Sequence, residues 1–201
     1  MNHIIIISGP SGCGKSTLIR ELLAEFPELN FSVSHTTRPM RKNEVPGKDY
    51  HFVAAGEFQK MLSGGQFVEW AEVHGHRYGT SWNEIRSKSA KGKTLVLDID
   101  VQGARSIKRQ FPEAMAIFVI PPTLAALKKR LRQRETRLDP EARKRLQAAL
   151  NELRAYKLYD YVIVNDKLAA AQADLRSLYA AFGLHMSRNQ DKIKKLLRSH
   201  K

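Results

Sequence analysis

Gly9-Pro10-Ser11-Gly12-Cys13-Gly14-Lys15-Ser16 decides how the rest of this 201-residue chain is read. The octet has the form GxxxxGK[ST], with the β-branched run Ile4 to Ile7 just before it and helical spacing from Ser16 to Glu25 after it. A strand feeding a glycine-rich turn and then a helix N-terminus makes an anion cradle. Glycines let backbone N–H groups point inward, and the helix end adds partial positive charge. In such a loop Lys15 reaches the β- and γ-phosphates of a nucleotide and the Ser16 hydroxyl faces Mg²⁺. The pattern also wants a carboxylate at the end of a neighbouring strand. Asp98, directly after Thr94 to Leu97, is placed for it, and Asp100 lies on the same side if the strand continues. A capping or turn aspartate is the plain alternative for both.

Outward from the octet, short aliphatic runs alternate with amphipathic stretches. Ile4 to Ile7, Leu95 to Leu97, Ile117 to Ile120 and Tyr161 to Val164 are apolar at every position, as strands buried on both faces are. Ser16 to Glu25, Gln102 to Gln110, Thr123 to Gln133, Asp139 to Tyr156 and Lys167 to Phe182 carry helical spacing. The pattern predicts a three-layer α/β/α fold with a parallel central sheet. Residues 34–84 break the rhythm with alternating and glycine-rich stretches, so a mixed α/β subdomain is expected there, inserted between core segments 1–33 and 85–184. A helical lid is expected near 134–145, and a basic tail over 185–201.

Hydrophobic residues make up 42% and charged residues 27% of the chain, which fits one globular domain with an insert and excludes wholesale disorder. The single cysteine, Cys13, allows no internal disulfide, and no apolar run has the length of a membrane span. A cytoplasmic protein is expected. The net charge of +14 calls for an anionic partner. Lys128 to Arg145 holds nine basic residues against three acids, and His185 to Lys201 holds six against one. A phosphate-handling site explains the first cluster. Nucleic acid on the tail stays open for the second and is not favoured, and nothing in the pattern speaks to oligomeric state.

Ser34-His35-Thr36-Thr37-Arg38-Pro39-Met40-Arg41 sets two guanidinium forks beside hydroxyls, a bidentate phosphate grip. Tyr50 and Tyr78 either add phenolic donors or simply pack. With these in view, the blocks Gly9 to Thr17, Ser32 to Arg38, Gly47 to Phe52, Phe67 to Glu72, Arg77 to Ser81, Leu97 to Gly103 and Tyr161 to Asp166 resemble the successive signature blocks of guanylate kinase, in order, over about residues 3 to 180. The resemblance implies ATP-dependent phosphorylation of GMP, with dGMP as a second acceptor, in purine nucleotide metabolism. It also implies Mg²⁺, and substrates that are small molecules. It assigns Arg38, Arg41, Tyr50 and Tyr78 to the GMP phosphate and Ser34, Glu69, Thr80 and Asp100 to the guanine. That assignment is chemically sound, because guanine offers N1–H and an amino group to one carboxylate and adenine does not. Taken alone, Glu69 in Phe67-Val68-Glu69-Trp70 reads as the exposed face of a strand.

The same resemblance places Gly9 to Thr17, Arg130 and Asn165 on ATP, and makes Lys15, Arg38, Asp98, Arg134 and Arg145 the catalytic set. Between the lid arginines this chain departs from the family pattern. Glu135-Thr136-Arg137-Leu138 lacks the usual glycine and turns an acid into Arg137, which implies a stiffer hinge. Asp139-Pro140 looks like a helix start, with Asp139 as cap. Two other readings remain: an inactive interaction module of guanylate kinase type, and a kinase of another small phosphate acceptor.

Overall fold

The computed structural model of the chain describes residues 3–73, 75–90, 93–133 and 140–199, and only the backbone of 132, 133 and 140–145. In chain order the elements are β1 (His3–Ser8), α1 (Lys15–Glu25), β2 (Asn30–Phe31), β3 (His35–Thr36), β4 (His51–Phe52), α2 (Ala55–Ser63), β5 (Phe67–Val73), β6 (His76–Ser81) and α3 (Trp82–Lys88). Then come β7 (Thr94–Asp98), α4 (Val101–Gln110), β8 (Met115–Ile120), α5 (Leu124–Gln133), α6 (Pro140–Leu153), β9 (Tyr161–Val164), α7 (Leu168–Leu184) and α8 (Met186–Arg198).

The central sheet runs β2-β7-β1-β8-β9 and every pairing in it is parallel. Ile4 to Ile7 of β1 are apolar without a break because both faces are covered. Ile5 and Ile7 pack with Leu18 and Leu22 of α1 and Leu175 of α7, while Ile4 and Ile6 pack with Ile107 of α4 and Ile85 of α3. Parallel strands at the centre of such a sheet have no solvent face to mark with polar residues.

Two expectations need correcting. The short strand β2 was not foreseen, since Asn30-Phe31 offers no apolar run. The strand β9 is not buried on both faces: Ile163 packs inward, while Tyr161, Val162 and Val164 are exposed. As the sheet's outer strand it is covered on one side only.

The second sheet runs β4-β3-β6-β5, with β3 and β4 parallel and the other two pairings antiparallel. Its helix α2 seats Phe58 against Phe67, ring centroids 4.5 Å apart. The basic end of the chain forms α8, tied to the core where Arg188 donates to Thr94 Oγ1 at 2.7 Å and lies over the Phe182 ring. Beyond that tie Leu196 and Leu197 are exposed. No helix among the described residues is long and apolar enough to cross a membrane.

Candidate active site

The loop after β1 is made of backbone. Gly9, Gly12 and Gly14 take φ of 148°, 85° and 95°, a region that side chains disfavour. A Cβ on Gly9 would stand 2.0 Å from the Val119 carbonyl oxygen, and one on Gly14 would stand 2.3 Å from Asn165 Nδ2. The loop therefore closes only with glycine at both positions. Within it, the Cys13 N–H donates to the Pro10 carbonyl at 3.1 Å. Lys15 opens α1 behind Gly14, and its ammonium donates to the Gly9 carbonyl at 2.7 Å, lying across the cradle. Burial works against that charge, but Cys13, Asp98 and Glu152 outweigh it and hold the Lys15 pKa above its ordinary value.

Asp98 ends β7 in register with Ile7 of β1. Burial pushes its carboxyl up, while the Lys15 charge and a hydrogen bond from Ser16 pull it down. A hydroxyl and a carboxylate side by side suit a hard cation such as Mg²⁺, which takes the rest of its shell from water and phosphate oxygens. Among the described residues no three His, Cys, Asp or Glu side chains cluster as a metal cage.

Asn165 and Arg130 brace the loop from outside. Asn165 is buried and its Nδ2 donates to the Cys13 carbonyl at 2.8 Å. Arg130, on α5, donates through Nη2 to the Asn165 carbonyl at 2.8 Å and through Nη1 to the Cys13 carbonyl at 3.5 Å. The Cys13 thiol is buried and burial raises its pKa, so it packs rather than reacts. Arg134 and the expected cap Asp139 lie outside the described residues, and of Arg145 only the backbone, within α6, is described.

Across the site, Arg38 grips Glu44 rather than standing free. Nη2 and Nη1 reach the two Glu44 carboxylate oxygens at 2.7 and 3.0 Å, and Nη1 also donates to the Pro39 carbonyl at 2.7 Å. Glu44 further accepts the Arg41 N–H at 2.8 Å. The guanidinium lies over Tyr50, 5.3 Å from the ring centroid, and Tyr50 meets Tyr78 edge to face at 5.9 Å. Arginine has five donors. Pro39 and Glu44 take three of them, and Arg38 also shares a side-chain hydrogen bond with Tyr78. Burial and then the Asp98 charge raise the Tyr50 pKa, so Tyr50 is a neutral donor within electrostatic reach of the cation side.

Glu69 contradicts the exposed-strand reading. A register shift between Phe67 and Glu69 puts Val68 and Glu69 inside together, and Trp70 is the residue left exposed. Such a bulge turns one side chain onto the opposite face. Thr80 Oγ1 donates to Glu69 Oε1 at 2.5 Å, and a Cβ on Gly103 would be 2.6 Å from Glu69 Oε2, so that glycine leaves room for the carboxylate. Burial pushes the Glu69 pKa up to about 7, against the Thr80 hydrogen bond and with help from Asp100. Asp100 caps α4, Oδ1 accepting the Gly103 N–H at 2.8 Å; the capping alternative for Asp100 is realised, beside the pocket. Ser34 is buried and immediately precedes β3.

Sequence reasoning missed three groups. Glu44 orients the Arg38 guanidinium and accepts the Arg41 main-chain N–H, and an acid inside the basic stretch Arg38 to Lys48 was the available signal. Burial pushes the Glu152 carboxyl of α6 up to about 7, against the pull of the Lys15 charge and with help from Asp100. Tyr159 donates to Ser8 Oγ at 2.8 Å and stacks on Phe118. Neither of the last two has a sequence signal beyond helix and strand-edge spacing.

A family model described as guanylate kinase matches residues 1–181. The guanylate kinase of Symbiobacterium thermophilum is 45% identical over 186 residues, 92% of this chain and 88% of that protein. The guanylate kinase of Geobacter sulfurreducens is 42% identical over 193 residues, 96% of this chain and 95% of that protein. Among solved structures, guanylate kinase from Anaplasma phagocytophilum superposes with a TM-score of 0.78 at 33% identity, covering 93% of this chain and 89% of that one.

Proposed function

Since the chain belongs to the guanylate kinase family, we propose that its two facing clusters divide one phosphoryl transfer between them, the glycine loop holding the donor and the second sheet holding the acceptor. The enzyme phosphorylates GMP with ATP as donor. Residues 34–84 form the acceptor-binding insert on the core, and 134–145 the lid.

Gly9 to Thr17 take the ATP phosphates, on a loop whose three glycines hold positive φ. Lys15 leaves the Gly9 carbonyl for the β- and γ-phosphates. Ser16 and Asp98 would hold Mg²⁺, which supplies charge neutralisation on the transferring group. Arg38, Arg41, Tyr50 and Tyr78 fix the GMP phosphate. That phosphate is already ionised at neutral pH, so no general base is needed, and positioning plus preorganised positive charge suffices. Arg130, Arg134 and Arg145 contribute positive charge from the lid side. Water exclusion on closure keeps ATP from hydrolysis.

The observation that carries the assignment of acceptor is Glu69, a carboxylate buried against the Thr80 hydroxyl, whose pKa burial pushes up to about 7. Guanine N1–H and its amino group supply two donors, and the Thr80 hydroxyl that now satisfies Glu69 is freed to turn toward the base. Such a site rejects a base without those donors, because the carboxylate stays unpaired. dGMP, which presents the same base and the same phosphate, is an acceptor too. The single cysteine and ATP as donor support a cytoplasmic setting. Titrating ADP formation against GMP tests the scheme: Lys15→Ala is expected to abolish GMP-dependent ADP release, and near-normal turnover of that variant would contradict it.

A further inference from the structure

Behind the acceptor sheet, on the face away from Ser34 and Tyr50, sits a second cluster of titratable side chains that the transfer does not use. His35 of β3 and His51 of β4 are paired in register and their rings are 4.6 Å apart. Glu84 of α3 is buried beneath them. Its Oε2 accepts the Val33 N–H at 3.0 Å, and its Oε1 faces His51 Nε2 at 3.3 Å. Lys88 Nζ, one turn along α3, is 3.4 Å from Oε2, and the Glu84 N–H is capped by Ser81 Oγ at 3.2 Å. The carboxylate thereby joins the chain segment leaving the core, strand β4 and the helix that returns to the core.

We propose that Glu84 is a positioning residue for the GMP acceptor, holding Ser34 and Tyr50 in place by pinning the residues next to each of them, Val33 and His51. Residues adjacent in a strand point to opposite faces, so a tie on the far face sets the aim of the near one. The tie is needed because β3 and β4 pair over only two residues each. Between β3 and β4 the flanking backbone adds the His51 N–H to Ser34 carbonyl bond at 2.9 Å and the Val53 N–H to Thr36 carbonyl bond at 3.0 Å. β3 is also paired with β6, while β4 has its ladder to β3 and the Gly47 N–H to Tyr50 carbonyl bond at 2.9 Å just before it. So short a ladder does not hold itself. Packing does not replace the tie either: behind the imidazoles lies a cavity of about 510 Å³ walled by His35, His51, Ser81, Glu84 and Trp82 among others, and His35 Nδ1 is buried without a hydrogen-bond partner. Burial, and secondly the neighbouring His51, lower the His35 pKa, consistent with one neutral imidazole in the pair.

The proposal rests on the reading of Ser34 and Tyr50 as acceptor contacts, so its test includes a variant of that reading. KM for GMP, KM for ATP and kcat are measured for Glu84→Ala, Glu84→Gln, His51→Phe and Tyr50→Phe. Loss of the pin should raise KM for GMP by about five- to tenfold in Glu84→Ala, with kcat and KM for ATP within about twofold. Glu84→Gln should restore it to within about twofold, because its amide oxygen can accept from Val33 and its NH₂ can donate to a neutral imidazole. His51→Phe keeps the ring contact but loses one arm of the tie, and should give about a threefold rise. It also carries the test if Glu84→Ala does not fold. An unchanged KM for GMP in both Glu84→Ala and His51→Phe, with Tyr50→Phe raised, overturns the positioning role and leaves the acceptor reading intact. An unchanged value in Tyr50→Phe removes the acceptor reading and the proposal with it. A fall in kcat and a rise in both KM values together, not rescued by glutamine, marks a merely structural residue and also overturns the proposal.

Discussion

The proposed donor loop and the proposed acceptor pocket would hold phosphate by opposite means. The loop is eight consecutive residues whose working parts are backbone N–H groups, kept in place by glycines with no room for a Cβ at Gly9 and Gly14. The pocket is made of side chains drawn from Ser34 to Asp100, and each needs another to hold it: Arg38 needs Glu44, and Glu69 needs Thr80 and the space at Gly103. A site made of backbone tolerates drift in its surroundings. A site made of side chains is specific, and its specificity is exposed to every substitution that moves a partner.

The contrast can be broken first at the lysine of the donor side. Lys15→Ala should lower kcat by about 10³-fold or more, with KM for GMP little changed, since charge on the transferring phosphoryl is lost only in the transition state. Next is the pocket's carboxylate. Glu69→Gln should cut kcat/KM for GMP by about 10²-fold, while KM for ATP holds.

Glu69 also makes a pH prediction. Its pKa is about 7 in the folded protein against an ordinary 4.5, so the folded state holds the proton more tightly than the unfolded chain. The stability tied to this group is full below pH 4.5 and is lost as pH rises through about 7. Glutamine cannot ionise, so Glu69→Gln should melt higher than the parent at pH 8 and no higher at pH 4, which calorimetry across that range would show. Catalysis has the opposite slope, because the base needs the carboxylate: KM for GMP should fall as pH rises through about 7, and the glutamine variant should be flat.

Smaller effects separate bracing from contact. Glu44→Ala leaves Arg38 without its orienting fork and should raise KM for GMP about tenfold, with KM for ATP unchanged. Asn165→Ala removes the donor to the Cys13 carbonyl behind the loop and should raise KM for ATP only about threefold. A larger effect of Asn165→Ala than of Glu44→Ala would mean that the loop depends on its braces as much as the pocket does.

The same contrast explains what could be read before the structure. The octet and the apolar runs of β1, β7 and β8 announce a parallel sheet and its glycine loop, because backbone geometry and two-sided burial leave local signatures, whereas the equally apolar run of β9 is covered on one face only. Asn30-Phe31 leaves none: a two-residue strand at the sheet edge is made by its neighbour β7. Glu69 reads as exposed from its neighbours, and only the register shift after Phe67 turns it inward. Arg38 and Arg41 stand out in the sequence as a pair of guanidinium forks, whereas Glu44, which takes both Arg38 Nη groups and the Arg41 main-chain N–H, is ordinary in sequence. Asp100 was placed beside Asp98 as a strand neighbour, and the structure ends the strand at Asp98 and uses Asp100 as a helix cap.

The central claim is that Glu69 reads guanine through its two donors, N1–H and the exocyclic amino group. Inosine monophosphate keeps N1–H and O6 and lacks the amino group, so the most direct measurement is kcat/KM for GMP against IMP in the parent enzyme and in Glu69→Gln. The account predicts a preference for GMP of about 10²-fold or more in the parent, falling to within about tenfold in the variant. A preference that survives intact in Glu69→Gln would contradict it.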